Sequence, residues 1–177
     1  MKFLPLLLFV IIGATGCKDK VVETENEAAP YNDAIIMEQR KIADELVDLK
    51  EALPTLDSTE ILPAYDDLVF QVGQSLQAVE EMGPFEEDTS LQEAAIDLFN
   101  YYHNVFEEDY GQVIAILLQD PSEITQNEKD QIDSIAAGIA EKEAIAERQF
   151  REVQQRFARE HNLLLKEAST DTLQQPE

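Results

Sequence analysis

An all-α fold is predicted, an up-down-up-down four-helix bundle, and three features of the sequence predict it. Apolar residues recur at alternating steps of three and four in four long segments, the spacing that lines one face of a helix. The segments are closed by residues that stop helices: Pro54, Gly83-Pro84, Asp120-Pro121 and Asn162. No segment shows the period of two that marks a half-buried strand. The connections are short, and short loops leave neighbouring helices antiparallel.

The first helix is expected to open with Asn32 as N-cap and Asp33 in its first turn. Its stripe is Ile35, Ile42, Leu46, Leu49 and Leu53, with Gln39 in the slot after Ile35, and Pro54 ends it. The second opens at Asp57 to Thr59, where Asp57 and Glu60 stand at capping-box spacing. Pro63 falls in or near its first turn, where it costs little. Tyr65, Val69, Val72, Leu76 and Val79 form its stripe. The third helix begins near Thr89 or Ser90 and carries a wide apolar face from Ala95 to Leu117. Gly111 inside it costs roughly 1 kcal/mol against Ala and predicts a weak point or a slight kink. The fourth has the clearest start, the capping box Thr125-Gln126-Asn127-Glu128 with Ile124 as hydrophobic staple. Its stripe is Ile132, Ile135, Ile139, Ala146, Phe150, Val153 and Phe157, with Glu143 falling on it and Asn162 as C-cap. Leu163 to Leu165 are apolar and are expected to fold back on the bundle. At 1.5 Å per residue the last two helices run roughly 45–55 Å and the first two roughly 35 Å. The longer hairpin should therefore overhang the shorter one or bend at Gly111.

The N-terminus follows a different logic. Lys2 precedes an apolar run from Leu4 to Ile12, and Gly13-Ala14-Thr15-Gly16-Cys17 follows. Charged, apolar and small residues in that order make a secretory signal. The run is far short of the roughly 20 residues that span a bilayer. Ala14-Thr15-Gly16-Cys17 resembles the lipobox of bacterial lipoprotein precursors, departing at Ala14, where that family most often has Leu. The resemblance implies cleavage before Cys17, a diacylglyceryl thioether on its sulfur and an acyl chain on the new amino group. One acyl chain holds a protein marginally, and two or more hold it stably. Cys17 is the one cysteine of the chain, so it has no disulfide partner within it. Lys18 stands where Asp would imply retention in the inner membrane, so the resemblance points to the outer membrane, on its periplasmic face or at the cell surface. The expected division is a signal peptide at 1–16, a lipidated Cys17 with a flexible acidic tether at 17–30, a helical bundle at 31–166 and a disordered tail at 167–177.

The net charge is -24. Between Glu51 and Glu128 there is no Lys or Arg, against 18 Asp and Glu. Nucleic-acid binding needs a basic footprint and is excluded. Binding of this body to an anionic lipid surface is disfavoured for the same reason. The acid excess serves solubility through self-repulsion, and it would attract a basic protein partner or hold divalent cations weakly.

No catalytic motif is present. A di-iron bundle needs Glu-x-x-His pairs, but Asn100 and Ala158 stand three residues before His103 and His161. There is no Gly-rich phosphate loop, no Gly-x-Ser-x-Gly and no His-Glu-x-x-His. The chain is read as no enzyme, and no cofactor or metal is expected. The run Phe99 to Phe106 with Tyr110 reads as core packing with Tyr hydroxyls at the rim. A buried ionised Glu143 would be costly without a partner. Rotation of the last helix is therefore expected to expose it. The alternatives are pairing with Gln39 or with the hydroxyl of Tyr101 or Tyr102, or a ligand pocket formed with His103.

Tyr31-Asn32-Asp33, and Glu141-Lys142-Glu143-Ala144 followed by Phe150 and Phe157, are similar to segments of a family of helical bacterial surface lipoproteins without an assigned activity. The order of helices agrees over most of the mature chain. The resemblance implies a location and a fold, not a mechanism. The expected function is a non-enzymatic, lipid-anchored envelope protein acting as a binding or structural module. The alternative is a carrier of a small ligand or metal in a bundle pocket near His103 and Glu143.

Overall fold

A computed structural model describes residues 27–165. The signal segment 1–16, Cys17, most of the tether, Lys166 and the tail 167–177 lie outside the described residues. Within them the chain forms four helical rods and no strand ladder, only an isolated bridge between Phe85 and Asp88. The first rod is α1 (Ala28–Ala52), which tightens into a 3-10 turn (Leu53–Thr55), and the second is α2 (Ser58–Met82). The third is continuous through α3 (Ser90–Asn104), a π-helical turn (Val105–Tyr110) and α4 (Gly111–Leu117). The fourth is α5 (Gln126–Glu160).

Four side-chain bonds show the antiparallel ring. Ser75 on α2 donates to the Glu38 carboxylate on α1 at 2.9 Å. The Tyr65 hydroxyl on α2 donates to the Phe106 carbonyl at 3.0 Å. The Tyr101 hydroxyl on α3 donates to the Ile139 carbonyl on α5 at 3.0 Å. The Gln154 amide on α5 closes the ring by donating to Asn32 Oδ1 on α1 at 2.9 Å. The early part of each element meets the late part of the next, as up-down-up-down packing requires. Inside lies one apolar core, with Ile35, Ile42, Leu46, Leu49, Ile61, Leu68, Leu91, Leu98, Phe99, Phe106 and Phe157 almost fully buried. Burying such a side chain stabilises by about 1.5–3 kcal/mol each.

Several boundaries differ from the sequence expectation. α1 starts at Ala28, not Asn32, so residues 28–30 belong to the bundle and not to the tether. Pro30 sits in the first turn, where a missing N–H leaves no bond unmade. Asn32 is consequently a buried interior residue and not a cap. On α2 the buried line is Ile61, Leu68, Val72, Ser75 and Val79, rotated from the expected stripe; Tyr65, Val69 and Leu76 are half-buried on its flank. Asp57 caps α2 from one side only, accepting from the Thr59 amide at 2.8 Å. Thr89 makes no capping bond; Asp88 accepts from the Ser90 amide at 2.8 Å instead. Gln92, three residues after Thr89, turns back to donate to the Val79 and Glu80 carbonyls at 2.9 and 3.1 Å, serving the last turn of α2.

The Thr125–Glu128 capping box is present in both directions. At the other end of α5, His161 is the cap residue and Asn162 takes the left-handed conformation at φ 55°. The Leu163 amide then bonds the Ala158 carbonyl at 2.7 Å, a Schellman turn. That turn returns Leu163 to the core, while Leu164 stays exposed. The irregularity expected at Gly111 lies in the turn just before it. The role of Gly111 is steric: a Cβ there would stand 2.9 Å from the Tyr65 hydroxyl oxygen.

Candidate functional site

Of the polar residues that the fold takes out of water, Asn32, Gln39, Glu143 and Gln154 belong to α1 and α5, while Ser75 and Gln92 serve α2. The inward face of α5 is apolar at Ala136, Ile139, Phe150 and Phe157, but Glu143 and Gln154 stand on the same face and are buried. Glu143 is 6% exposed, and its Oε1 has no hydrogen-bond partner among the described residues. The expectation that helix rotation would expose it is therefore wrong. The aromatic face of α3 packs against this stretch of α5 and fixes the rotation that turns Glu143 inward.

Glu147 follows Glu143 by one helical turn. Three tyrosines bear on the pair. Tyr101 is half-buried, with its hydroxyl on the Ile139 carbonyl. Tyr102 and Tyr110 are 1% and 3% exposed. Burial pushes all three phenols above their ordinary range, and the Glu143 charge adds to it in each. Glu147 adds further to Tyr102, through its charge and through a hydrogen bond. On α1, Lys50 faces Glu143; burial lowers the Lys50 ammonium and the Glu143 charge partly restores it. For Glu143 itself, burial is the first cause and the Glu147 carboxylate the second, with Lys50 opposing; together they push its carboxyl up to about 7. Two carboxylates one turn apart in low dielectric cannot both ionise cheaply.

Next to this cluster a narrow cleft runs between α1, α3 and α5. Gln39, Glu147, Arg151 and Gln154 are its polar walls, and Ile36, Leu98 and Phe150 its apolar ones. It encloses about 10 Å³, room for about one water molecule. Gln39 thus lines the cleft beside Glu147. Arg151 stands 3.9 Å from the Glu147 carboxylate.

The structure brings Glu143 to the tyrosines and gives His103 another partner. His103 is a third exposed, and its Nδ1 lies 3.5 Å from Glu107 on the same rod. Among the described residues no three His, Cys, Asp or Glu side chains converge as a metal site would need. The aromatic run is core: Phe99, Tyr102, Phe106 and Tyr110 follow one another at centroid distances of 6.4, 6.1 and 5.2 Å. A second aromatic group closes the end where α1 begins. There Tyr31, Phe85, Phe157 and His161 meet at 4.4–6.0 Å, and the Tyr31 hydroxyl donates to the Gly83 carbonyl at 2.7 Å.

Sequence reading missed Lys50, Glu147 and the Asn32–Gln154 pair. A signal was available for two of them. Glu147 and Gln154 follow Glu143 by four and eleven residues, the spacing of one helix face.

Comparison of the chain with family models, curated proteins and solved structures finds no match.

Proposed function

We propose that this chain is a lipid-anchored protein of the bacterial cell envelope, whose acidic helical bundle serves as a non-enzymatic binding or structural module. The observation that carries the reading is Ala14-Thr15-Gly16-Cys17 directly after an apolar run too short to span a bilayer. A tether of acidic and polar residues joins that cysteine to a bundle with a filled core. Among the described residues no helix is long and apolar enough to cross a membrane. Lys18 after the cysteine favours the outer membrane.

The partner class follows from charge. α2 and the third rod carry acids without a single Lys or Arg, and a surface of one sign steers an oppositely charged partner toward it. A basic protein fits this face. The carrier alternative has one observation in its favour, the buried Glu143 oxygen without a hydrogen bond, but the adjoining cleft holds no more than about one water.

Labelling with a radioactive fatty acid tests the anchor. The parent chain is expected to take up label and sediment with membranes, and Cys17→Ser to lose the label and appear in the soluble fraction. A labelled Cys17→Ser protein would overturn the reading. Crosslinking in intact cells then tests the face: a basic protein is expected on α2 and the third rod.

A further inference from the structure

We infer that Glu143 is a proton-operated latch on the seam between α1 and α5, closing the seam when its carboxyl is neutral and loosening it when ionised. The inference goes beyond the proposed function and does not depend on the anchor.

Three structural observations carry it. The carboxyl is 6% exposed and its Oε1 has no hydrogen-bond partner among the described residues, so on that oxygen the charged form lacks a donor to stabilise it. Its surroundings are unequal. On the side of the third rod its charge is felt by Tyr101, Tyr102 and, in the π turn, Tyr110, part of an aromatic wall packed into the core. Beginning one helical turn further along α5, at Glu147, the seam with α1 is polar, with Gln39 of α1 and Glu147, Arg151 and Gln154 of α5 around a cleft wide enough for a water. The polar cleft that starts at Glu147 is where water can approach an ionised Glu143, along the α1–α5 seam.

The charged and titratable groups facing Glu143 are Glu147 on its own helix, Lys50 on α1, and the three tyrosines. Glu147 repels the ionised form. Lys50 attracts it, but is itself held down by burial, and its pull is smaller than the combined effect of burial and Glu147. The phenols stay neutral across the range where the carboxyl titrates, because burial raises all of them.

The carboxyl titrates near 7 in the closed seam and near its ordinary 4.5 when exposed to water. The opening equilibrium should then grow about tenfold per pH unit between these values and level off above the higher one. Amide hydrogen exchange on the full chain in detergent micelles, normalised to the intrinsic rate at each pH, reads this directly. Peptides of α1 covering 36–50 and of α5 covering 139–154 are expected to lose protection about tenfold per unit from pH 5 to 7 and to stay level to pH 8.5. Peptides of α2 covering 61–79 are expected to stay better protected than these at every pH, falling only as far as global stability falls. Glu143→Gln should hold the acid-level protection throughout. Glu147→Gln should bring the plateau in at lower pH. Flat protection in α1 and α5, α2 protection no higher than theirs, a slope that survives Glu143→Gln, or protection that rises with pH because Lys50 captures the ionised carboxylate would each overturn the latch. The parent profile alone decides the matter should a variant not fold.

Discussion

Tyr65 and Gly111 should be energetically coupled, and a double-mutant cycle measures by how much. The Tyr65 hydroxyl donates to the Phe106 carbonyl at 3.0 Å and lies 3.3 Å from that of Glu107. Both carbonyls belong to the π turn, where the widened ladder disturbs regular helical pairing. Removing the hydroxyl in Tyr65→Phe forfeits about 1 kcal/mol. Gly111→Ala alone has two opposed effects. Ala is worth about 1 kcal/mol over Gly inside a helix. Its Cβ would stand 2.9 Å from the Tyr65 oxygen, where ordinary contacts begin at 3.4 Å, so the phenol must retreat and its bond to Phe106 is lost or strained, at about 1–2 kcal/mol. The single variant should be neutral or slightly destabilised. In the double variant the obstructing atom is gone; the ring carbon behind it lies at 3.8 Å, an ordinary contact. The helix gain then offsets the lost bond, and stability returns close to that of the parent. The coupling is about 1–2 kcal/mol, read from urea midpoints of the four proteins followed by far-ultraviolet dichroism. Effects that add within about 0.5 kcal/mol, or a full gain from Gly111→Ala with Tyr65 intact, would refute the steric account.

Global stability should carry the sign of Glu143. Its folded-state carboxyl is raised from 4.5 to about 7, so its contribution is fully present below 4.5 and lost as pH rises to about 7. Glu143→Gln escapes that loss and should exceed the parent by up to about 3 kcal/mol above pH 7, with the difference vanishing below pH 4.5; a constant difference across pH in parallel urea titrations would defeat this. Salt or millimolar calcium should raise the melting temperature of the chain, because exposed repulsion beyond about 8 Å is screened at roughly 0.15 M; a calorimetric titration that finds one tight calcium site would show a metal site in place of a solvated acidic face.

What was legible in the sequence was local or periodic. The Thr125–Glu128 box could be read from four residues because both of its bonds close within them. The Asp57 cap and the Gly83 stop were legible for the same reason. The start of α1 was not, because a proline is equally at home just before a helix or in its first turn, and what decides is the packing of Ala28 and Tyr31. Glu143 was placed on the correct stripe and given the wrong environment. Period assigns a face, but the rotation of that face depends on the partner, here the tyrosines of α3. The π turn left a trace that could have been read. Tyr102, Phe106, Tyr110 and Ile114 are all buried and spaced by four each time, where a regular helix alternates three and four. Each such step over-rotates by about 40° at 100° per residue, and a wider turn absorbs the drift. Lys50 could not be found this way, since its relation to Glu143 spans the bundle and leaves no mark on either helix.

The order of helices converts a bias along the chain into a bias across the molecule. Because the ring runs α1, α2, third rod, α5 and back to α1, the two rods that lack Lys and Arg are neighbours. The rods that hold Arg40, Lys41 and Lys50, and Lys129, Lys142, Arg148, Arg151, Arg156 and Arg159, are neighbours too. The α1–α5 half holds the cations but is still net acidic, and its ion pairs form within a helix, Lys41 with Glu38 and Arg151 with Glu147. Exposed pairs of this kind contribute only about 0–1 kcal/mol, so the partition is weakly paid back in stability and stays expressed as a field. A tether to Cys17 would enter at the start of α1, beside the Tyr31, Phe85, Phe157 and His161 group. Anionic headgroups would repel α2 and the third rod more strongly than the half that α1 and α5 share. Under the proposed anchoring, α2 and the third rod would be the surfaces turned away from the membrane, and a basic partner would be met there.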